Sequence, residues 1–579
     1  MAQKKQNDSY WLNRGIKQEK KINDAAQQVE QKVISAYRQA QSYLTRQAMN
    51  LFSRAKQRSG MGEEETRALL NQTIHPEELV ELRKLADDIA SPDLQESARK
   101  RLNGLAFKER ITRAEDLKAK SFVVSKQIAD VQLDKSTDFY IDIIHDSYNE
   151  ATAEAVIQQI ERAKNESIIN VWNGQKYTSK IETFKQAQKR GVPIEVWNDP
   201  NYRTTDYEFK ELSTKYTKNI LDSHWHGSNY SKRIWKDTEA LAKRLEELFT
   251  VESMTGMSEF EMAKAIATEF DRSVGVAQRL IRTEANYMAN QAKLKAWRDR
   301  GVEQYILVAV LDLRTSKICQ SKDGKIFLVA DAVVNGAAGT YPPFHPWCRT
   351  IAVAFFGKRS LTGKRIANDP FTGKTMTIQQ RDTYDDWMKK LKDNYSDGEI
   401  EIQKKKIQNL KKDTGDLKRL KKIIGEDHSP KSLEEYQETK YNNSEEWEQL
   451  KRKYSLQKSI NSGTLTTKLH LESQQRHELG HPRYDKYVAK NKAKGRPTPS
   501  FTTADIETLQ RIVDDNYLSG VINRKKPGQA LIEIEINTDR YGVAYDRFGK
   551  NPLATNRFKI HMSKTKTHIV PMHPTEGKG

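Results

Sequence analysis

Tyr37, Ala40, Tyr43, Leu44, Ala48, Leu51 and Phe52 recur mostly at three- and four-residue steps in an otherwise polar stretch. That spacing places one apolar stripe along one face of a helix. The whole chain is built this sparingly: 36% of its 579 residues are hydrophobic and 30% are charged. The hydrophobic share is below the roughly 45–50% of an average globular chain. It argues against one large core and for striped helices joined by solvated stretches. At roughly 150 residues per domain, the length suggests about three or four units.

Several classes are excluded. No run of about 18 apolar residues is present, so neither a transmembrane helix nor a membrane partner is expected. Met1 to Asp8 lack a signal peptide's apolar stretch, so cytosolic synthesis is expected. Two cysteines cannot form a disulfide scaffold. Lys and Arg number 98 against 78 Asp and Glu, a net charge of +20, which suggests an anionic partner.

Residues 8 to 220 read mainly as helix, broken by the turn-rich stretch from Gly191 to Asn201. Ser258 and Glu261 form a capping box at the head of a helix carrying Phe260, Ala263, Ala267 and Phe270. A second helix is expected from Leu280 to Trp297, stopped by Gly301. Tyr305–Leu313 and Thr350–Phe356 are nearly continuous apolar runs and read as buried strands. In 358–459, Ile407, Leu410, Leu417, Leu420 and Ile424 lie among many lysines, which suggests a solvated amphipathic helix. Beyond 460 a helix is expected around Thr503–Tyr517. Ile532, Ile534 and Ile536 then alternate with Glu533 and Glu535 as in a half-buried strand. Strands near Tyr541–Tyr545, Phe558–Ser563 and Thr567–Val570 complete an α+β pattern.

Both cysteines fall in one short stretch. His345 and Cys348 form an H-x-x-C pair in a proline-rich loop, and Cys319 lies upstream. Two thiolates and an imidazole are good zinc ligands, and a tetrahedral site needs a fourth. Asp323, His224 and His226 are the candidates for it. A structural zinc on Cys319, His345 and Cys348 is therefore expected. The alternative is two small buried thiols and a loop histidine.

Around this cluster stand Arg282-Thr283-Glu284, Asp312 through Cys319, Asp323-Gly324-Lys325 and Pro342 through Thr350, in that order. With Tyr10 through Arg14 and Trp225 through Trp235, they resemble the phage head-morphogenesis family of minor capsid proteins, the Mu F-like group. The resemblance spans roughly 8–357. It implies a virion component in the capsid interior or near the portal, assembled in the host cytoplasm. Portal and capsid or scaffold proteins and packaged DNA would be its partners. Taken alone, Arg282 with Glu284 reads as a surface helix pair and Asp312 with Arg314 as a turn salt bridge.

In the tail, Lys559, His561 and Ser563 share one face of a strand, with Phe558, Ile560 and Met562 on the other. His568 follows closely in sequence, and His470 and His477 lie earlier in the tail. Lysine, histidine and hydroxyl groups are what RNA cleavage without metal requires: proton donors and acceptors, and cations for the phosphorane. Gln475-x-His477, Gly480, Tyr484 and the Lys559–Pro571 strand pair resemble the polymorphic toxin type 50 domain, in the group of barnase-, EndoU-, colicin- and RelE-like nucleases. The resemblance implies a ribonuclease with no catalytic cofactor, an RNA substrate and an immunity protein. The alternative is a purely structural virion protein whose tail contacts nucleic acid without catalysis. Glu533-x-Glu535 also hints at an ADP-ribosylating toxin, but no Ser-Thr-Ser precedes it in the tail.

The expected architecture is an α+β multidomain chain. A helical region at 1–220 precedes a compact α+β head-morphogenesis domain at 221–357. A charged helical linker at 358–459 leads to a small α+β nuclease-like domain at 460–579.

Overall fold

The computed structural model describes residues 9–54, 60–108, 110–163, 166–172, 177–197, 211–357, 364–379, 381–526, 528–537 and 540–575. The side chains of Tyr10 to Asn13 and the turn at 198–201 lie outside the described parts. The chain divides into two compact units, after Asp393. The stretch 358–459 is split by this division. No helix among the described residues is long and apolar enough to cross a membrane.

Four long helices frame the first unit: α1 (Ser9–Arg54), α2 (Arg113–Ala163), α3 (Tyr230–Leu248) and α4 (Glu259–Asp299). The Ser258 capping box forms as expected, with Glu261 N donating to Ser258 Oγ at 3.3 Å and Ser258 N donating to Glu261 Oε2 at 2.8 Å. The two helices expected over 260–297 are one, running unbroken through Gly275. The narrow stripes fuse into one continuous apolar core, from Ile22 through Leu44, Tyr140 and Trp297 to Ala354. That is a larger core than composition suggests, because helices this long each deliver a full row of apolar residues to a shared seam.

Charged side chains that enter this core do so in pairs. Lys126 is fully buried, with Nζ 2.7 Å from Glu239 and 5.0 Å from the Phe122 ring centre. Lys120 is bound to Asp116 at 2.8 Å. A small antiparallel sheet follows α4, built from β1 (Gln304–Val308), β2 (Ile326–Leu328) and β3 (Ile351–Phe355) in the order β2-β1-β3. Helix α5 (Lys317–Lys322) connects β1 to β2. A hairpin, β4 (Lys364–Asn368) and β5 (Thr375–Gln379), and helix α6 (Tyr384–Lys392) complete the unit. A further hairpin pairs Glu166–Trp172 with Tyr177–Thr183, within a region expected to be helical.

The second unit opens with α7 (Asp397–Gln408), α8 (Leu410–Ile424), α9 (Leu433–Asn442) and α10 (Ser444–Asn461). The elements α11 (Leu471–Gln474), α12 (Pro482–Ala493), β6 (Phe501–Thr502) and α13 (Ile506–Asn516) follow. The strands β7 (Val521–Lys526), β8 (Gln529–Glu535), β9 (Gly542–Ala544), β10 (Leu553–Thr555), β11 (Arg557–Met562) and β12 (His568–Pro571) end the chain. They form a four-stranded sheet, β12-β11-β8-β7, and a three-stranded one, β10-β9-β6. Leu417, Leu420, Ile424, Tyr436, Leu450 and Leu456 share one core with Ile512, Ile532, Phe558 and Ile569. The charged helices therefore carry an apolar face that belongs to the sheet. Helix α10 also covers the edge strand β7: Ile522 N donates to Gln449 Oε1 at 3.0 Å, and Arg452 donates to Ile522 O at 2.8 Å. Such cover removes an open pairing edge.

Each of those buried leucines and isoleucines contributes about 1.5–3 kcal/mol, against a total domain stability of about 5–15 kcal/mol. A fragment of residues 394–579 is expected to fold cooperatively, and one of residues 460–579 to be aggregated or molten. Circular dichroism melts and gel filtration of the two fragments check this; a cooperative, monomeric short fragment contradicts it.

Candidate functional site

In the first unit, Ser316 caps α5 and accepts from Cys319 N at 3.2 Å, which fixes Cys319 in the helix's first turn. The loop after β2 is pinned onto α4: Tyr341 OH donates to Asn290 O at 2.9 Å, and Trp347 N donates to Thr283 Oγ1 at 3.2 Å. A turn in which Cys348 N donates to His345 O at 3.1 Å brings both residues back towards Cys319. Trp347, between them, has φ of +64°, an uncommon conformation for a bulky residue.

The ligand atoms of Cys319, His345 and Cys348 all lie within 4.8 Å of one another and could hold a metal ion. Cys319 Sγ is 3.0 Å from His345 Nε2 and 3.8 Å from Cys348 Sγ. His345 Nδ1 is 2.7 Å from the Pro346 carbonyl, which can only accept. Nδ1 therefore carries the proton in the neutral ring, which leaves the Nε2 lone pair towards Cys319 Sγ and, at 2.8 Å, Ser316 Oγ. This is the orienting contact expected behind a metal-bound histidine. Hydrogen bonding with Cys348, and with His345, Ser316 and Thr350, brings the Cys319 thiol down to about 4, against burial. Burial and the neighbouring Cys319 push Cys348 up.

Of the expected fourth ligands, Asp323 and His224 do not join this group. Asp323 is fully committed elsewhere: its carboxylate accepts from Ala309 N at 2.7 Å, Tyr384 N at 2.8 Å and the buried Arg365 at 2.9 and 3.0 Å. His224 is exposed ahead of a short turn, and the His226 side chain is outside the described residues. The expected Asp312–Arg314 turn salt bridge is present at 3.8 Å, whereas Arg282 and Glu284 are not a surface pair. Glu284 is fully buried and bound to Arg233 and, at 2.9 Å, to Trp225 Nε1, while Arg282 reaches Glu30 at 3.2 Å. Asp312 accepts a two-pronged contact from Arg349, at 2.6 and 2.8 Å.

In the second unit, register builds the cluster. His561 on β11 lies directly opposite His568 on β12. Directly opposed residues of an antiparallel pair have Cβ atoms about 4.5–5.5 Å apart on one face. The two rings accordingly stack, with centres 4.9 Å apart and planes at 8°. His477 adds a third ring, 5.7 Å from His568 and at 10°. It is carried there by Gln474, whose buried amide mimics a strand: Nε2 donates to Ile569 O at 3.1 Å, and Ile569 N donates to Oε1 at 2.9 Å.

His477 Nδ1 meets the Ser500 carbonyl at 2.9 Å, and His568 Nδ1 meets that of Lys566 at 2.9 Å. Both rings thus keep Nε2 unprotonated when neutral. Burial, with His568 and Arg476 nearby, lowers His477 to about 4; burial also lowers His568. Lys559 shares the His561 face, and its cross-strand neighbour is Glu533. His470 caps α11, bonds Ser473 at 2.9 Å and lies close enough to influence His568. Ser563 is not in the cluster: its hydroxyl accepts from Lys566 N at 2.9 Å and closes the β11–β12 turn. Arg476 and Tyr487, whose ring meets His477 edge-on at 5.8 Å, belong to the site although neither was singled out from sequence. The helical spacing of Arg483, Tyr487 and Lys490 on α12 was the available signal.

A buried neutral histidine ties stability to pH. Unfolded His477 takes its proton near 6.5, and folded His477 only near 4. As pH falls through that window the unfolded state binds protons first, and the fold loses at most about 3 kcal/mol from this group. Urea unfolding of the full chain should show the second unit weakening from about pH 7 to about pH 4.5, with most of that loss absent in His477→Gln. An unchanged pH response in the variant contradicts the assignment.

Comparison with known families gives two matches. Residues 243–353 match Phage Mu protein F like protein, and residues 469–571 match Bacterial toxin 50. No curated protein and no solved structure matches the chain. The first match contains Cys319, His345 and Cys348; the second contains the imidazole stack. The chain thus joins a segment similar to Phage Mu protein F like protein to a C-terminal segment similar to Bacterial toxin 50.

Proposed function

We propose that the first part serves head morphogenesis in the virion, at the portal or capsid interior, and that the toxin domain cleaves RNA without metal. The head part would assemble in the host cytoplasm with portal, capsid and scaffold proteins around packaged DNA. The observation that carries the ribonuclease reading is the stack of His477, His568 and His561 with Arg476 and Lys559 beside it. In the reaction, the Nε2 of a neutral His568 or His477 takes the proton of the RNA 2′-OH. The 2′-oxygen bonds to phosphorus, the bond from phosphorus to the 5′-oxygen breaks, and a protonated His561 supplies the proton that oxygen needs. Lys559 and Arg476 offset the charge of the phosphorane. The products are a 2′,3′-cyclic phosphate and a 5′-hydroxyl. An immunity protein would act by covering this face.

Incubating the full chain with RNA and excess EDTA should give cyclic-phosphate ends. His561→Ala and His568→Ala should each lower the rate by about 10²–10⁴-fold, with Ser563→Ala near wild type. Cutting that persists in both histidine variants sinks this assignment, and no cutting by wild type favours a purely structural tail.

We also propose that Cys319, His345 and Cys348 hold a structural zinc that stiffens the proline-rich loop. The donor set and the fixed His345 tautomer support this reading. Protein purified without chelator should carry one zinc per chain. Cys348→Ser should remove it and lower the first unit's melting temperature by on the order of 5 °C. Absence of stoichiometric metal in the wild type overturns the reading.

A further inference from the structure

Three protein donors leave a tetrahedral ion one position short. Among the described residues, no further cysteine, histidine or carboxylate joins Cys319, His345 and Cys348. His345 and Cys348 form part of the wall of a cavity of about 880 Å³, which is within the usual range for small-ligand sites. Helix α1, strand β1 and strand β4 supply its other walls.

This cavity has the marks of a binding site. Trp347 stands on its wall, 43% exposed and held at φ of +64° between the two donors. Arg282 lies 5.6 Å from the Trp347 ring centre. Lys20, Arg314, Arg349 and Arg365 outnumber the two acids of the lining, Glu19 and Asp312. The nearest acid to Arg314, Asp312, is 3.8 Å away and already holds Arg349 with both oxygens, and Arg314 is 62% exposed. A cationic wall beside a Lewis acid suits an anionic oxygen donor.

We propose that the metal's fourth position opens on this cavity and exchanges, taking the oxygen of a small oxyanion, either a carboxylate or a phosphate. The proposal rests on the zinc reading above and gives that site a ligand-binding role besides a structural one. No bond of the ligand is broken; the oxyanion replaces water at the ion, and Arg314 and Lys20 hold its remaining charge.

Cobalt(II) in place of zinc makes the coordination visible, because its thiolate-site absorption bands respond to ligand number and type. The full chain is loaded with cobalt, its metal content is measured, and acetate or inorganic phosphate is titrated against a chloride control of equal ionic strength. The bands should shift saturably with acetate, phosphate or both, and not with chloride; which anion acts distinguishes the two ligand sources. Arg314→Ala should bind one cobalt per chain but need several-fold more anion. The buried Thr350 hydroxyl faces the Cys319 sulfur; as a fourth ligand it would block the anion, so Thr350→Val should respond like the wild type rather than gain a response. One cobalt per chain with bands indifferent to both anions overturns this inference alone. So does an anion response that appears only in Thr350→Val at full metal content. Failure to bind any metal overturns the zinc reading and this inference with it.

Discussion

Burying charge only in pairs is the constraint on which the first unit depends. A chain that is 30% charged cannot fill long helix seams with apolar residues alone. An unpaired buried charge costs several kcal/mol, and breaking a buried pair costs about 3–5 kcal/mol. Lys126 with Glu239, Arg233 with Glu284 and Arg365 with Asp323 meet that constraint. Glu19, Glu154 and Lys293 meet it only in part: burial pushes Glu154 up to about 8 and Lys293 down, so two carboxylates share one ammonium. Arg365 joins β4 to Asp323 at the foot of α5, and so supports the helix that presents Cys319.

In the second unit the equivalent constraint is strand register. A one-residue slip of β12 on β11 would turn His568 to the opposite face. The apolar alternation of Phe558, Ile560 and Met562, all at most 1% exposed, prevents that slip. Core packing therefore sets the imidazole geometry. The helices α8 to α10 contribute through the same core, although they lie outside the matched toxin segment.

Short-range pattern was legible in the sequence where one face is buried. Ile532, Ile534 and Ile536 pointed to β8, and Ser258 with Glu261 marked the start of α4. Strand β7, with the sequence Val-Ile-Asn-Arg-Lys-Lys, was hidden because its sheet role is an edge covered by α10 and its apolar content is slight. Two helices were expected over 260–297 where there is one, and Gly275 within it costs only about 1 kcal/mol against long packed flanks. The Cys319, His345 and Cys348 group was readable from residue type alone. The role of Asp323 was not, because its partner Arg365 lies 42 residues away on β4. Ser563 was placed on the histidine face by strand period, but the strand ends at Met562 and the turn claims its hydroxyl.

The two histidine sites differ in a way that bears on their chemistry. Imidazole lone pairs lie in the ring plane. In the first unit a single ring turns its Nε2 edge towards a sulfur 3.0 Å away, so in-plane and thiolate donors converge on one point. In the second unit three rings lie nearly parallel, at 8° and 10°, with centres 4.9 and 5.7 Å apart. Parallel planes send their lone pairs outward side by side, and such lone pairs cannot meet at one ion with bonds of about 2.0–2.1 Å. They can each meet a different atom of an extended substrate, one oxygen taking up a proton while another gives one away. The first geometry favours holding an ion and the second favours moving protons, so one chain can carry both without competition for metal.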